Sequence, residues 1–219
     1  MISVQHMVMG ILENNVYVVS DTKGTFVVDP SARCDRIVEA LDGAKLDAIV
    51  CTHFHSDHTG ALADLKAQTG ATVYVSEPDA HYVENPRKVG TSPVPLQKAC
   101  AVDERVADSQ VIRVGQTDWT VILTPGHSKG SMCLYKPAGD EVVVNGKSLG
   151  KVPVLFSGDT LFAGTTGRTD FLGGSMADMA ESLQRLAQLP DETVVFTGHN
   201  DFTTIGIERR TTFPRWGVM

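Results

Sequence analysis

Long apolar runs are missing from this chain: no stretch drawn from Ala, Val, Ile, Leu, Met, Phe, Trp, Tyr and Cys exceeds four residues. A membrane-spanning helix needs about 20 mostly apolar positions, so no membrane segment is expected. Met1 to Leu12 also lack the basic start, apolar stretch and small-residue cleavage site of a signal peptide, which makes the cytoplasm the expected location. Cysteine is scarce. Cys34, Cys51, Cys100 and Cys133 stand at wide, irregular spacings with no Cys-x-x-Cys pair, so neither a disulfide framework nor a cysteine metal site is indicated. All but Cys34 lie in apolar stretches and read as buried thiols. Basic residues are outnumbered, 19 Lys+Arg against 26 Asp+Glu, for a formal charge of −7 without long like-charge blocks. Neutralising a phosphate backbone needs clustered Lys and Arg, so a nucleic-acid partner is not expected.

What remains is the composition of an ordinary globular protein, 42% hydrophobic and 21% charged, and its 219 residues suffice for a single domain over 1–219 with a substantial core. Val16–Ser20 and Thr25–Asp29 read as a strand pair around the turn at Asp21 to Gly24. Ile37, Val38 and Leu41 recur at helical spacing before Gly43, Asp47–Cys51 reads as a buried strand, and Ala61, Leu62 and Leu65 mark a helix ending at Gly70. Thr72–Val75 resumes the sheet. Residues 84–98, with Pro86, Pro93 and Pro95, read as a long irregular connection suited to be a wall or lid of a site. Further strands are expected at Val111–Val114, Trp119–Leu123, Ser131–Lys136, Val152–Phe156 and Thr193–Phe196. Eight of the twenty glycines fall between Gly139 and Gly174, which predicts a loop-rich region there. Ser175 with Asp178 three residues on resembles a capping box for a helix carrying Met176, Met179, Leu183 and Leu186. The alternation predicts an α/β (α+β) architecture of sheets covered by helices.

The chemistry is announced by histidine placement. Of seven histidines, His53, His55 and His58 lie within six residues, and His127 and His199 each follow a glycine at the end of a β-like run. His53 and His55, two apart just past a strand, can emerge on one side of an extended backbone and chelate one ion. Asp57 and His58 fall where a helix begins and are turned toward a different point, which suits a second ion. Paired ions about 3.5–4 Å apart need a shared anion between them, and Asp159, at the end of the apolar run before Ser157-Gly158, is the natural bridge. Imidazole with carboxylate suits zinc, and also iron or manganese.

Thr52-His53-Phe54-His55-Ser56-Asp57-His58-Thr59-Gly60 resembles the THxHxDHxG signature of the metallo-β-lactamase fold. Thr124-Pro125-Gly126-His127, Ser157-Gly158-Asp159-Thr160 and Thr197-Gly198-His199 follow in the family's order. The resemblance extends from Val28-Asp29-Pro30 to Thr204-Ile205-Gly206. It implies a four-layer αβ/βα sandwich with two divalent metal ions, zinc expected and iron or manganese as alternatives. His53, His55 and His127 would hold the first ion, and Asp57, His58 and His199 the second, with Asp159 bridging. Catalytic roles are implied for Asp57, which would orient the nucleophile, and for His58.

Gly167-Arg168-Thr169-Asp170-Phe171 after Asp159-Thr160-Leu161-Phe162 is similar to the glyoxalase II-like group, hydroxyacylglutathione hydrolases, in the short form without the C-terminal helical domain. That implies hydrolysis of a small-molecule thioester, such as an S-(2-hydroxyacyl) thiol conjugate bearing negative charge. Persulfide dioxygenases share these motifs and imply an alternative, one iron on His53, His127 and Asp159; a hydrolase of another ester or lactone is a third reading. Lys129 stands where proline is common after the third motif, and Asn200-Asp201 where Gly-Pro is usual after the last. Around the ligands, Asp29 is expected to orient a histidine, Arg168 and Asp170 to pair as a loop clamp or Arg168 to meet an anionic substrate end, and Lys129 either to greet a carboxylate or to stand solvated. His6 and His81 fit no motif, and Tyr82 and Trp119 read as packing residues.

Overall fold

The computed structural model describes residues 1–87 and 93–218. The first half runs β1 (Ile2–Met9), β2 (Asn14–Ser20), β3 (Thr25–Val28), α1 (Cys34–Ala40), β4 (Ala48–Cys51), α2 (Ser56–Thr59), α3 (Leu62–Thr69), β5 (Thr72–Ser76), α4 (Glu77–Glu84) and β6 (Glu104–Val106). The second continues with β7 (Val111–Val114), β8 (Thr117–Leu123), β9 (Met132–Lys136), β10 (Val142–Val144), β11 (Lys147–Gly150), β12 (Val154–Gly158) and α5 (Met176–Leu186). It closes with β13 (Val194–Thr197), β14 (Thr203–Thr204), α6 (Ile205–Glu208) and a 3₁₀ turn at Phe213–Trp216. One sheet has eight strands in the order β11-β10-β1-β2-β3-β4-β5-β6, and the other six in the order β14-β13-β12-β9-β8-β7.

Side chains alternate across a strand, and here both faces of the central strands are apolar because both are covered. Tyr17 and Val19 of β2, Val28 of β3 and Val50 of β4 point into a core shared with Trp119, Met132, Leu134, Phe156 and Phe196 of the other sheet. The intervening Val16, Val18, Ile49 and Cys51 point outward onto Ile37, Leu62, Leu65 and Val83 of α1, α3 and α4. On the far side Cys133, Leu155 and Val195 pack on Met179, Leu183 and Leu186 of α5. The result is the four-layer αβ/βα sandwich. All four cysteines are free thiols, three of them buried. Ser175 Oγ caps α5 by accepting the Asp178 N–H at 3.2 Å.

Several elements differ from expectation. Within the glycine-rich stretch, β10 and β11 form an antiparallel hairpin. Its turn is Asn145-Gly146, both at positive φ (45° and 81°), which suits the twist of the flanking strands. The strand expected at Val152–Phe156 begins at Val154 and runs to Gly158; Pro153 has no N–H to give a ladder. Glu84 belongs to α4, so the irregular connection starts at Asn85; residues 88–92 of it lie outside the described residues. Among the described residues no helix is long and apolar enough to cross a membrane.

Candidate metal centre

Parallel neighbours β3 and β4, and parallel neighbours β12 and β13, end on the same side of the sandwich. Their following loops deliver Asp29, His53, Asp159 and His199 to one place. His55 caps the single turn of α2, which carries Asp57 and His58, and His127 arrives on the loop between β8 and β9. Close packing of these loops demands glycine at 198, where a Cβ would stand 2.3 Å from Asp159 Oδ1.

Four of the five histidines have the ring nitrogen facing away from the cluster tied to oxygen. His127 Nδ1 meets the Arg168 carbonyl at 2.7 Å and His199 Nδ1 the Leu12 carbonyl at 2.9 Å. A carbonyl only accepts, so both rings carry their proton on Nδ1 and turn the Nε2 lone pair inward. His58 Nδ1 lies 2.9 Å from Asp29 Oδ2. Asp29 also accepts the Thr52 N–H and hydroxyl, each at 2.7 Å; with its proton thus spent, Thr52 Oγ1 receives His53 Nδ1–H at 3.1 Å. This outer fixing of imidazoles is how metal-binding histidines are oriented. Asp29 therefore stands directly against the His58 ring.

The inward atoms converge in two groups, His53/His55/His127 and Asp57/His58/His199, each within 4.8 Å; Asp29 makes a further group with His53 and His58. In the first, His55 Nδ1 and His127 Nε2 are 2.8 Å apart. In the second, His58 Nε2 is 3.4 Å from Asp57 Oδ2 and 3.3 Å from His199 Nε2. Asp159 spans both: Oδ1 is 3.2 Å from His58 Nε2, and Oδ2 is 3.5 Å from His127 Nε2 and 3.6 Å from His199 Nε2. With bonds of 2.0–2.2 Å, ligand atoms on one ion sit about 3.0–3.6 Å apart, the spacing seen here. His53 Nε2 and Asp159 Oδ1 are buried without a hydrogen-bond partner. Converging lone pairs and carboxylates repel one another unless a cation lies among them, so the residues fit a His/Asp metal centre.

Charge divides the cluster. Burial, reinforced by neighbouring imidazoles, holds His53 well below the usual histidine range and lowers His55 to about 3. At His58 burial is outweighed by Asp159, Asp57 and Asp29, which raise it; at His199 burial is outweighed chiefly by Asp57 and Asp159. Burial would lift the acids, yet the His58 ring and its neighbours hold Asp57 well below the carboxylate range and Asp159 at about 2.

A cleft of about 660 Å³ opens over the cluster, with His55, Asp57, His127, Asp159 and His199 on its floor. Leu12, Phe162, Phe171, Pro93, Val94 and Leu96 form apolar walls, so the described part of the 84–98 connection is one side of the site. Arg87 and Arg168 also line it. Arg168 grips Asp170 with two hydrogen bonds, at 2.9 and 2.7 Å, the loop clamp. Lys129 is exposed and is absent from the cleft lining. Tyr82 stacks on Phe54 and Trp119 is fully buried, both in packing roles.

A model of the metallo-β-lactamase superfamily matches residues 9–144 and 148–199. The chain belongs to this superfamily, whose members are mostly metallohydrolases. A protein of Aquifex aeolicus is 34% identical over 92% of this chain and 91% of its own length. The hydroxyacylglutathione hydrolase GloC of Haemophilus influenzae is 27% identical over 87% of this chain and 86% of its own; a hydroxyacylglutathione hydrolase of Rhodospirillum rubrum is 30% identical over 89% of this chain and 65% of its own. Among solved structures, BLEG-1 B3 metallo-β-lactamase superposes with a TM-score of 0.80 at 30% identity over 96% of this chain and 97% of that one. TTHA1623 in a di-iron-bound form gives 0.73 at 30% (94% and 97% coverage), and ETHE1 from Myxococcus xanthus 0.73 at 28% (97% and 83%).

Sequence reasoning missed the outer contacts. Asn14, at the start of β2, donates Nδ2–H to Asp57 Oδ2 at 3.0 Å, and a paired asparagine before a strand was the only signal for it. Asp79 of α4 is fully buried and accepts from Phe54 N–H at 3.2 Å, Ser128 Oγ–H at 2.6 Å and Gly130 N–H at 2.8 Å, joining the two loops that carry His53, His55 and His127. The Leu12 and Arg168 contacts are main-chain carbonyls, which leave no mark in a sequence.

Proposed function

We propose that this protein is a binuclear hydrolase of small, anionic thioesters of the hydroxyacyl-thiol type. The observation that carries the reading is the convergence of five inward imidazoles and two carboxylates, held by outer contacts, on the floor of one cleft. Similarity to GloC along most of both chains supports the thioester class. His53, His55 and His127 would hold one ion, Asp57, His58 and His199 the other, and Asp159 both. Bound there, zinc, iron or manganese would supply a water ionised near pH 7 and an electrophile for the acyl carbonyl.

The chain's own residues do the rest. Asp57 lines the cleft with His199 and would orient the attacking water by accepting its hydrogen bond. Phe171 and Phe162 with the Pro93–Leu96 wall exclude bulk water from the acyl group. A thiolate departs without strong general-acid help, and Ser56, a hydroxyl at the floor, already donates to Gln97 Oε1. Arg168 and Arg87 at the walls favour a substrate carboxylate.

A second reading rests on a specific trio: His53, His127 and Asp159 form a two-histidine, one-carboxylate set of the kind iron uses for oxygen chemistry, and the similarity to ETHE1 is compatible with it. Elemental analysis of protein purified without added metal, with thiol release followed in air and in nitrogen, separates them. The expected result is two metal equivalents and oxygen-independent thiol release; one iron with oxygen uptake and no hydrolysis overturns the first reading.

A further inference from the structure

Two asparagines begin β2, and only one is fully used. Asn15 donates Nδ2–H to the Thr197 carbonyl and hydroxyl and to the Asn200 carbonyl, at 2.9–3.2 Å, and its Oδ1 meets His6 Nε2 at 2.7 Å. It is a structural pin between the β1–β2 edge and the loop bearing His199. Asn14 is equally buried, 0% exposed, yet its Oδ1 has no partner. Its Nδ2 reaches into the second group of ligands, 3.0 Å from Asp57 Oδ2 and 3.2 Å from His199 Nε2. Those separations match the spacings among the other ligand atoms of that group, 3.3 Å between His199 Nε2 and Asp57 Oδ2 for example.

We propose that Asn14 is a further ligand of the second metal position, through its carboxamide oxygen; this rests on the two-ion reading above. A cation held by Asp57 and His199 takes the lone pairs that Nδ2–H now uses, and an N–H pointing at a dication is repelled by it. A half-turn about the last side-chain bond exchanges two groups of nearly equal size, aims Oδ1 at the cation and so gives the orphaned oxygen a partner. Asn14 is positioned for this by its own backbone: residues 14 and 199 form an isolated antiparallel bridge, and Asn15 N–H donates to the Gly198 carbonyl at 2.8 Å. The consequence is asymmetry. The first position is bound by three imidazoles and one carboxylate, whereas the second becomes oxygen-rich, with Asp57, Asp159 and Asn14 beside two imidazoles. Oxygen-rich, higher-coordinate sites favour iron(II) or manganese(II) relative to zinc, which prefers four ligands.

The test is stepwise cobalt(II) titration of the metal-free wild type, Asn14→Ala and Asn14→Asp, with a competing chelator and the visible d–d absorption read at each equivalent. Wild type is expected to take two equivalents, the second with the weaker absorption of a higher coordination number. In Asn14→Ala the second equivalent should bind about ten-fold or more weakly and absorb more strongly, while the first, which also reports on folding, is unchanged. Asn14→Asp should keep the second equivalent at wild-type affinity or tighter, with the weak absorption. An unchanged second equivalent in Asn14→Ala overturns the assignment, as does its loss in Asn14→Asp, which would make Asn14 a donor to Asp57. Fewer than two equivalents in the wild type overturns the two-ion reading and this inference with it.

Discussion

The two halves of the metal centre are built from the same residue type and behave in opposite ways. His53 and His55 sit among other imidazoles under apolar cover and are held neutral, whereas His58 and His199 sit among Asp57, Asp159 and Asp29 and are driven toward the charged form. Burial alone would lower all four. The difference is the set of carboxylates around His58 and His199, so the first half offers imidazole lone pairs alone and the second offers imidazoles together with negative charge. Their supports differ as well: the first half is braced by Asp79 and the Arg168 carbonyl, the second by Asp29, Asn14 and the Leu12 carbonyl.

Removing what the halves share should have the largest effect. Among the described residues, Asp159 is the one carboxylate within 3.6 Å of inward nitrogens from both groups. Asp159→Ala is therefore expected to lower thioester turnover by about three orders of magnitude and to drop metal content below two equivalents. Two equivalents at wild-type affinity would show that the halves are held independently.

The brace of the first half makes a stability prediction. Burial outweighs the three donors to Asp79 and raises its pKa to about 6. Between the unfolded value near 3.9 and that value the native state binds the extra proton, so Asp79 lowers stability as pH rises, by up to about 3 kcal/mol. Asp79→Asn removes this titration, so the variant should gain on wild type between about pH 4 and pH 6 and stay level above. Urea unfolding of both proteins across that range checks it; a pH-independent difference would mean Asp79 is ionised throughout.

For the second half the corresponding residue is Asp29, which fixes the His58 ring. Asp29→Asn keeps an oxygen for Thr52 and tolerates the left-handed backbone at that position, φ 52°. The second metal equivalent should weaken about 10–100-fold, as for other contacts that orient a ligand, and the first by less, because Asp29 reaches the His53 ring only through Thr52. Equal weakening of both equivalents would dissolve the distinction between the halves.

What the sequence disclosed follows from the range of the forces involved. His53, His55, Asp57 and His58 were legible because chelation leaves a local spacing, and α5 because Ser175, Asp178 and the Met179–Leu186 stripe are local too. α4 was not: only Asp79, Ala80 and Val83 of its eight residues are buried, too few for a periodic stripe. The strands β6, β10, β11 and β14 are only two to four residues long, and β6 and β10 pair with β5 and β1, partners distant in sequence (Glu104 with Tyr74, Val142 with Ile2). Asn14 and Asp79 act across 43 and 25 to 51 residues of chain, respectively, so their partners become visible only in the fold.

The smallest effect is expected at Arg168, where main chain and side chain do different work. Its carbonyl orients His127, and no substitution removes a carbonyl. The guanidinium lies over the Phe171 ring, 4.3 Å from its centroid, and is already paired with Asp170. Arg168→Ala should therefore leave both metal equivalents in place. What remains for the side chain is recognition: a paired, exposed cation at a cleft wall still attracts a substrate carboxylate, but weakly, because the neighbouring carboxylate offsets it and salt screens beyond about 8 Å. A matched pair of thioesters, one with a carboxylate and one with its amide, measures this. The variant should lose a few-fold in kcat/KM for the carboxylate at low salt and almost nothing for the amide, with the gap closing as salt rises. Metal loss in Arg168→Ala would instead mean that the clamp to Asp170 holds the loop, and that the first half depends on a side chain at its rim as the second depends on Asp29 beneath it.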